Sequence, residues 1–296
     1  MPALIDLRRR IKSVRNTQQI TRAMKSVSTA KFKKAQRTVF QARPFWHTFP
    51  SLIQRAILWR ENVRHPLLEK REEQKTIVVV ITSDKGLCGA FNANLLAEAA
   101  EFCREKSKTS DLRLILIGKK AVMFFKKYPF LIERAYADNT QNLTRGDLKD
   151  LAQFLLQEFS LLRTDAAYVV YNEFRSILAP QIILYQLLPV AIQKKEEGRT
   201  ETTEELPFGL IPDWEPEAKT FMEVLLPLYV ENEITHFFSE SIAAEHAARM
   251  MAMDNATRNA EDLIEDLTLE LNKIRQASIT KELLEIMTAV EALAEK

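Results

Sequence analysis

The sequence predicts an α/β protein built on long helices. Its N- and C-terminal helices form an antiparallel coiled coil, and a Rossmann-like α/β domain is inserted between them. Three observations predict this. The last 69 residues, Leu228–Lys296, contain neither glycine nor proline, and all six glycines lie between Gly86 and Gly209. Between these punctuator-free ends, β-branched runs alternate with helical patterns, as in parallel strands joined by crossover helices. The two ends also carry opposite charge. Residues 1–40 hold eleven Lys/Arg against the single acid Asp6, whereas residues 240–296 hold twelve Asp/Glu against six Lys/Arg. Such ends favour lying side by side, although surface attraction is screened within about 10 Å at ordinary salt.

The N-terminal helix is read over residues 1–61. Leu4, Leu7, Ile11 and Val14 recur at steps of three and four, the stripe drifts through Ile20, Met24 and Val27, and it resumes at Phe32, Ala35 and Val39. Around positions 16–31 the seam turns polar and small, with Thr17, Gln18, Thr21, Ser26, Ser28 and Thr29. Pro44 and Pro50 each remove a backbone donor, which predicts a kink or local break before a bent continuation to about Glu61.

The α/β domain is read over residues 74–192. Thr76–Thr82 is a continuous β-branched run, as expected of a strand buried on both faces. The turn Ser83–Gly89 leads to a helix near 92–107, a strand at Leu112–Ile117 and a helix from Lys119 to about Tyr128. Thr144 with Asp147 three residues on is a capping-box start for a helix to Leu162. Ala166–Phe174 and Gln181–Leu188 read as two further strands, and the alternation argues for parallel pairing. Residues 193–216, acidic and interrupted by prolines, read as a solvated linker.

The C-terminal helix is read over residues 217–296. Val224, Leu228, Ile234, Phe238 and Ile242 begin a stripe, an alanine- and methionine-rich section follows at 247–253, and Leu263, Leu267, Leu271 and Ile274 restore it. At a rise of about 1.5 Å per residue, such a helix is a rod of roughly 100 Å. Two such helices are expected to bury their stripes against each other. The alanines let the axes approach, and the longer C-terminal helix projects beyond its partner.

Several function classes lose support. Gly86-Leu87-Cys88-Gly89 follows a strand and precedes a helix, but neither Gly-x-x-x-x-Gly-Lys-Ser/Thr nor Gly-x-Gly-x-x-Gly can be drawn there, so a tight turn is the simpler reading. His47, His65, His236 and His246 lack metal-ligand spacing, no catalytic constellation stands out, and neither a metal nor a cofactor is expected. Arg8-Arg9-Arg10 interrupts any signal-like apolar run, and Pro180 and Pro189 break the longest uncharged apolar stretch. Two cysteines, Cys88 and Cys103, provide no disulfide framework. Two rivals to a mechanical role stay open. One is a nucleotide-dependent enzyme, which predicts ligand binding by the chain alone. The other is a basic nucleic-acid-binding arm or adaptor, which predicts salt-sensitive binding.

Three segments resemble one family. Residues 11–25, Ile-Lys-Ser-Val-Arg-Asn-Thr-Gln-Gln-Ile-Thr-Arg-Ala-Met-Lys, are similar to the N-terminal signature of the gamma subunit of F-type ATP synthase. Ser83–Gly89 is similar to that family's first strand–helix turn, and residues 245–253 and 272–282 resemble its C-terminal helix. Where the family has a small Gly-Ala-containing tail, this chain has Thr288-Ala289-Val290-Glu291-Ala292.

The resemblance implies a non-catalytic central-stalk rotor. Its coiled coil would stand inside a ring of three alpha and three beta subunits, and its foot and α/β domain would attach to the epsilon subunit and the c-ring. It would sit peripherally on the cytoplasmic face of the bacterial inner membrane, with no nucleic-acid partner. By matching motif positions, the resemblance assigns Arg275, Gln276 and Thr280 to a beta-subunit loop. Met24 and Lys25 are placed near the beta lever, with seam packing and a solvated charge as their alternatives.

Overall fold

The computed structural model describes residues 2–58, 65–137, 140, 143–176, 180–190 and 218–294. Helix α1 spans Pro2–Leu58, and a 3-10 turn at Pro66–Leu68 follows. Then come β1 (Lys75–Ile81), α2 (Phe91–Lys106), β2 (Asp111–Ile117), α3 (Lys119–Phe125), β3 (Leu131–Tyr136), α4 (Arg145–Ser160), β4 (Ala166–Glu173) and β5 (Gln181–Leu188). Helix α5, 77 residues from Ala218 to Ala294, ends the described chain. The expected linker at 193–216 lies outside the described residues, as does the N-terminal helix's continuation past Leu58. The chain divides into two compact units, one of Met1–Ala30 with Arg249–Lys296, the other of Lys31–Ala248.

In the larger unit the strands order as β3-β2-β1-β4-β5. β1 pairs in parallel with β2 and β4, β2 pairs in parallel with β3, and β5 runs antiparallel to β4. The antiparallel β5 corrects the expectation of parallel pairing throughout. The link from Glu173 to Gln181 is too short for a crossover, which takes a dozen or more residues. Edge strand β3 was not foreseen, because Glu133 and Arg134 interrupt its apolar alternation.

Both sheet faces are covered, which is why β1 reads as an unbroken apolar run. Val78, Val80, Leu114, Leu116 and Val170 face Leu95, Ala99 and Cys103 of α2 and Phe125 of α3. Ile77, Val79, Ile81, Ile115, Val169 and Tyr171 face the other way, onto Leu151, Leu155 and Phe159 of α4. That second core also takes Met222, Leu226, Val230, Ile234 and Phe237 of α5. The C-terminal stripe is therefore shared between α1 and the sheet, against the expectation that the two long helices bury their stripes only on each other. Tyr171 stacks on Phe237 with centroids 4.5 Å apart, and the Tyr185 and Tyr229 hydroxyls lie 2.9 Å apart.

Local signals explain the element ends. Thr144 and Asp147 close the predicted capping box at the start of α4. Gly118, at φ +99°, carries the chain from β2 to α3, and a Cβ there would lie 2.3 Å from the Thr82 carbonyl oxygen, so only glycine fits. α1 runs unbroken through Pro44 and Pro50, and α5 through Pro227. Burial of Trp46 and Phe49 beside the first two prolines offsets the lost backbone bonds.

Candidate partner-contact surfaces

In the smaller unit, α1 and α5 lie antiparallel. Lys25 pairs with Asp254 and Thr21 with Thr257, so one sequence rises as the other falls. On α1 the seam residues, each buried or half-buried, are Leu4, Leu7, Ile11, Val14, Gln18, Thr21, Lys25 and Ser28, alternating steps of three and four, with Met24 and Thr29 half-buried beside them. On α5 they are Met253, Thr257, Ala260, Ile264, Leu267, Leu271, Ile274 and Ser278, with the same alternation. This is the 3.5-residue repeat of a coiled coil.

The repeat keeps Gln18, Thr21 and Ser28 of the expected polar seam and puts the drifting apolar stripe outside it. Ile20 and Val27 are 60% and 58% exposed, and polar residues hold the seam between them. The Thr21 hydroxyl donates to the Gln18 carbonyl (3.0 Å) and accepts from the Thr257 hydroxyl (2.8 Å). Asp254 accepts from Lys25 and, at 2.9 Å, from Arg258, and the Lys25 hydrogen bond foremost holds its carboxyl below the usual range. Polar layers of this kind fix register and orientation at some expense of stability.

The predicted contact residues fall into two patches. Arg275, Gln276 and Thr280 are all exposed on adjacent turns of α5, and the Thr280 hydroxyl donates to the Gln276 carbonyl at 3.0 Å. Ile274 takes the neighbouring seam position, leaving both Arg275 and Gln276 facing outward. Met24 and Lys25 are half-buried, and Lys25 is ion-paired across the seam rather than simply solvated. Its partner Asp254 lies 21 residues before Arg275, which separates the patches by about 30 Å along the helix.

Two surfaces were missed. Met24 forms an outward stripe with Ile20 and Val27 at steps of four and three. The signal was there in the sequence, since a strict heptad drawn from Leu4 lands on Gln18, Thr21 and Lys25. The second surface is the end of α5. Every described side chain from 279 to 288 is exposed, including Ile279, Leu283, Leu284, Ile286 and Met287. Ile279, Leu283, Ile286 and Val290 repeat at four, three and four, a seam with no counterpart among the described residues. The α1-facing line continues instead through Lys281, Glu285 and Thr288, with Lys281 and Glu285 paired at 3.8 Å. The apolar stripe thus lies on a different helix face.

In the larger unit a buried charged cluster ties both long helices to the sheet. Glu240 accepts from Arg43 Nε at 3.2 Å and from the Phe174 amide at 3.0 Å, while Arg43 also donates to the Phe174 carbonyl. His236 stacks on Trp46 at 4.2 Å and lies 3.5 Å from Glu233 and 3.7 Å from Glu240. Burial opposes charge on Glu240, but hydrogen bonds from His236 and Arg43 win and hold its carboxyl low. Burial likewise opposes charge on His236, and Glu233 and Glu240 overcome it and raise the imidazole.

The turn after β1 closes on itself. The Asn92 amide donates to Ser83 Oγ at 2.8 Å and to Cys88 Sγ at 3.1 Å, and its oxygen accepts from the Ser83 amide at 3.1 Å. Both cysteines are buried and outside any disulfide, and burial pushes the Cys103 thiol up to about 12. Among the described residues no helix is long and apolar enough to cross a membrane.

A family model described as ATP synthase matches residues 3–293. The ATP synthase gamma chain of Pelotomaculum thermopropionicum is 43% identical over 293 residues, covering 99% of this chain and all of the relative. That of Desulforudis audaxviator is 40% identical over 297 residues, with the same coverage. Among solved structures, a chain of the Euglena gracilis mitochondrial ATP synthase in rotational state 3 superposes with a TM-score of 0.65 at 20% identity, covering 99% of this chain and 95% of that one. A rotor chain from the same organism's enzyme gives 0.63 at 19% identity, over 94% and 99%. At these identities the superpositions speak to the fold.

Proposed function

The chain belongs to the family of ATP synthase gamma chains, and on that premise we propose that it is the central-stalk rotor coupling proton translocation to ATP synthesis and hydrolysis. It is a subunit of the synthase, and the chemistry takes place on the beta subunits. The coiled coil stands inside the ring of three alpha and three beta subunits. The foot and the α/β domain bind the epsilon subunit and the c-ring. The chain sits peripherally on the cytoplasmic face of the bacterial inner membrane, a location supported by its bacterial relatives and by the lack of a membrane-spanning helix among the described residues.

The observation that carries the mechanism is the helix pair in the smaller unit. It is a single, lopsided object, with a basic first stretch of α1 (Arg8, Arg9, Arg10, Lys12 and Arg15, all exposed), an Ile20–Met24–Val27 stripe and an apolar end on another face. One such pair cannot contact three equivalent subunits equivalently, so each beta subunit meets a different surface. A ligand shifts a conformational equilibrium only through its differential affinity for the two states. Moving a site from 1:99 to 99:1 takes about 5.5 kcal/mol of such difference. A few charge-assisted contacts, at about 1.5–3 kcal/mol each, supply that order. Exposure of Arg275, Gln276 and Thr280 on adjacent turns supports them as the groups that supply it, with Met24 and Lys25 at a second level.

The test is reconstitution with alpha, beta and epsilon subunits and the c-ring. Assembly with ATP-driven proton pumping is expected, and failure to assemble overturns the reading. Gln276→Leu is expected to lower coupled ATPase activity and pumping several-fold with fold and assembly unchanged. Full turnover in that variant removes Gln276 from the contact set.

A further inference from the structure

Within the larger unit, α1, α4 and α5 wall a groove of about 830 Å³ that the rotor mechanism does not use. That volume falls in the range of small-molecule sites, roughly 300–1,000 Å³. Its walls are apolar, with Phe45, Leu148, Phe238 and Ile242 prominent, and Trp46 closes it on the α1 side. Its rim carries Lys31, Lys34 and Arg145, and no Asp or Glu among the described residues lines it. In a chain with 42 basic and 40 acidic side chains, that one-sided lining is distinctive. A cleft with charge of one sign and low-dielectric walls concentrates counter-ions.

The hydroxyls in the groove narrow the ligand further. Thr38 donates to the Lys34 carbonyl at 3.3 Å, Thr235 to Glu231 at 2.9 Å and Ser239 to Thr235 at 2.7 Å, so all three spend their protons on their own helices. Asp147 likewise turns its carboxylate back to Thr144, which caps the start of α4. The cations a ligand can reach are Lys34 and Arg145. Asn232, whose amide donates to the Leu228 carbonyl at 2.7 Å, and His246 also line the groove, and the rest of its body offers mostly apolar contact. We propose that the groove binds a single-chain amphiphilic anion of the free fatty acid class. Its aliphatic tail lies against Phe45, Phe238 and Ile242, and its carboxylate lies at Lys34 and Arg145.

Trp46 provides the readout. The chain has three tryptophans, and Trp59→Phe with Trp214→Phe leaves Trp46 alone. In the full chain, ω-bromododecanoate is expected to quench Trp46 saturably, and the matching ω-bromo alcohol at least about tenfold more weakly. Lys34→Gln with Arg145→Gln, both at exposed positions, is expected to raise the Kd by about tenfold. Raising salt from about 50 to 500 mM is expected to weaken binding, as screening shortens to a few Å. Equal quenching by acid and alcohol, or an unchanged Kd in the double variant, would mean nonspecific apolar adsorption and overturn the proposal. Quenching by the acid is expected to persist in the assembled complex. Its loss there would mean that a partner polypeptide fills the groove, which overturns it too.

Discussion

The same two helices live in two environments. In the larger unit, α5 lays Leu226, Val230, Ile234 and Phe237 against a sheet, and all four are 3% exposed or less. In the smaller unit the helices share a thin seam, where the best-buried apolar residues, Met253, Leu7, Ile11 and Ala260, keep 5–7% exposure and Thr21 and Ser28 take core positions. Large apolar residues there, Ile20, Leu269 and Ile286 among them, are 60% exposed or more. Burial has been concentrated where the chain anchors itself. In the other unit apolar surface is left outward, where a partner rather than the fold determines its worth.

The comparison breaks first if core substitutions weigh the same in both units. Phe237→Ala removes a ring stacked between Tyr171 and Tyr185, and is expected to destabilise the larger unit by about 3–5 kcal/mol. Ile11→Ala removes a smaller, thinly covered group from the seam, and is expected to cost about 1–2 kcal/mol, below the usual buried-aliphatic range. Chemical denaturation of the full chain, read by near-UV and far-UV dichroism, separates the two. Equal losses would mean that the seam is packed like a core.

The charged cluster is next in size. Arg43→Met leaves Glu240 buried without its guanidinium and with only His236 as a charged partner, and is expected to cost about 2–3 kcal/mol, less than a fully buried pair because Arg43 is partly exposed. The pH signs differ within the cluster. Glu240 titrates below its ordinary value, so its contribution is present above the usual carboxylate range and lost as pH falls through its lowered pKa. His236 titrates above its ordinary value, so its contribution is complete below the usual histidine pKa and lost as pH rises through the raised one. Thermal melts across pH should show highest stability between these limits, and Glu240→Gln should flatten the alkaline side. A profile unchanged by Glu240→Gln would remove the coupling of His236 to Glu240.

How much of this could be read from the chain follows the same division. The β-branched run of β1 and the Thr144–Asp147 cap were legible because each is fixed by local chemistry. The direction of β5 was legible too, from the short link between Glu173 and Gln181, but the alternation of strands and helices masked it. Edge strand β3 hid behind Glu133 and Arg134, since an edge tolerates charge that a central strand does not. The docking of α5 on the sheet was not legible, because a stripe shows that a helix buries one face but not what covers it. Of the contact surfaces, Arg275, Gln276 and Thr280 came from family likeness. The polar seam at Gln18, Thr21 and Ser28 was legible. The outward face of the drifting stripe through Ile20 and Val27 was not, because hydrophobicity alone does not tell which side of the helix is covered.

Lys25→Met tests the seam's polar layer at a smaller scale. The Lys25–Asp254 pair is partly solvent-accessible, and its loss is expected to change stability little. Thr21→Val with Thr257→Val should also leave stability nearly unchanged while loosening register. A cysteine cross-link across the seam would then form at neighbouring registers as well as the native one. A single cross-linked product would show that the apolar ends fix register unaided.

The smallest effect on the fold is expected at the exposed end of α5, and it sharpens the comparison most. Leu283→Ser with Ile286→Ser removes two outward apolar side chains that are 56% and 60% exposed, so melting of the isolated chain should not move. Surface changes away from caps and cores usually stay within about 0.5 kcal/mol. In the assembled complex the same variant should lower ATP-driven proton pumping relative to ATP hydrolysis, because no described residue of this chain covers the stripe. Ile20→Ser with Val27→Ser should behave alike at the other level of the shaft. A shifted melt with unchanged pumping would reverse the assignment, making these residues part of the fold and leaving the helix pair without an apolar partner face.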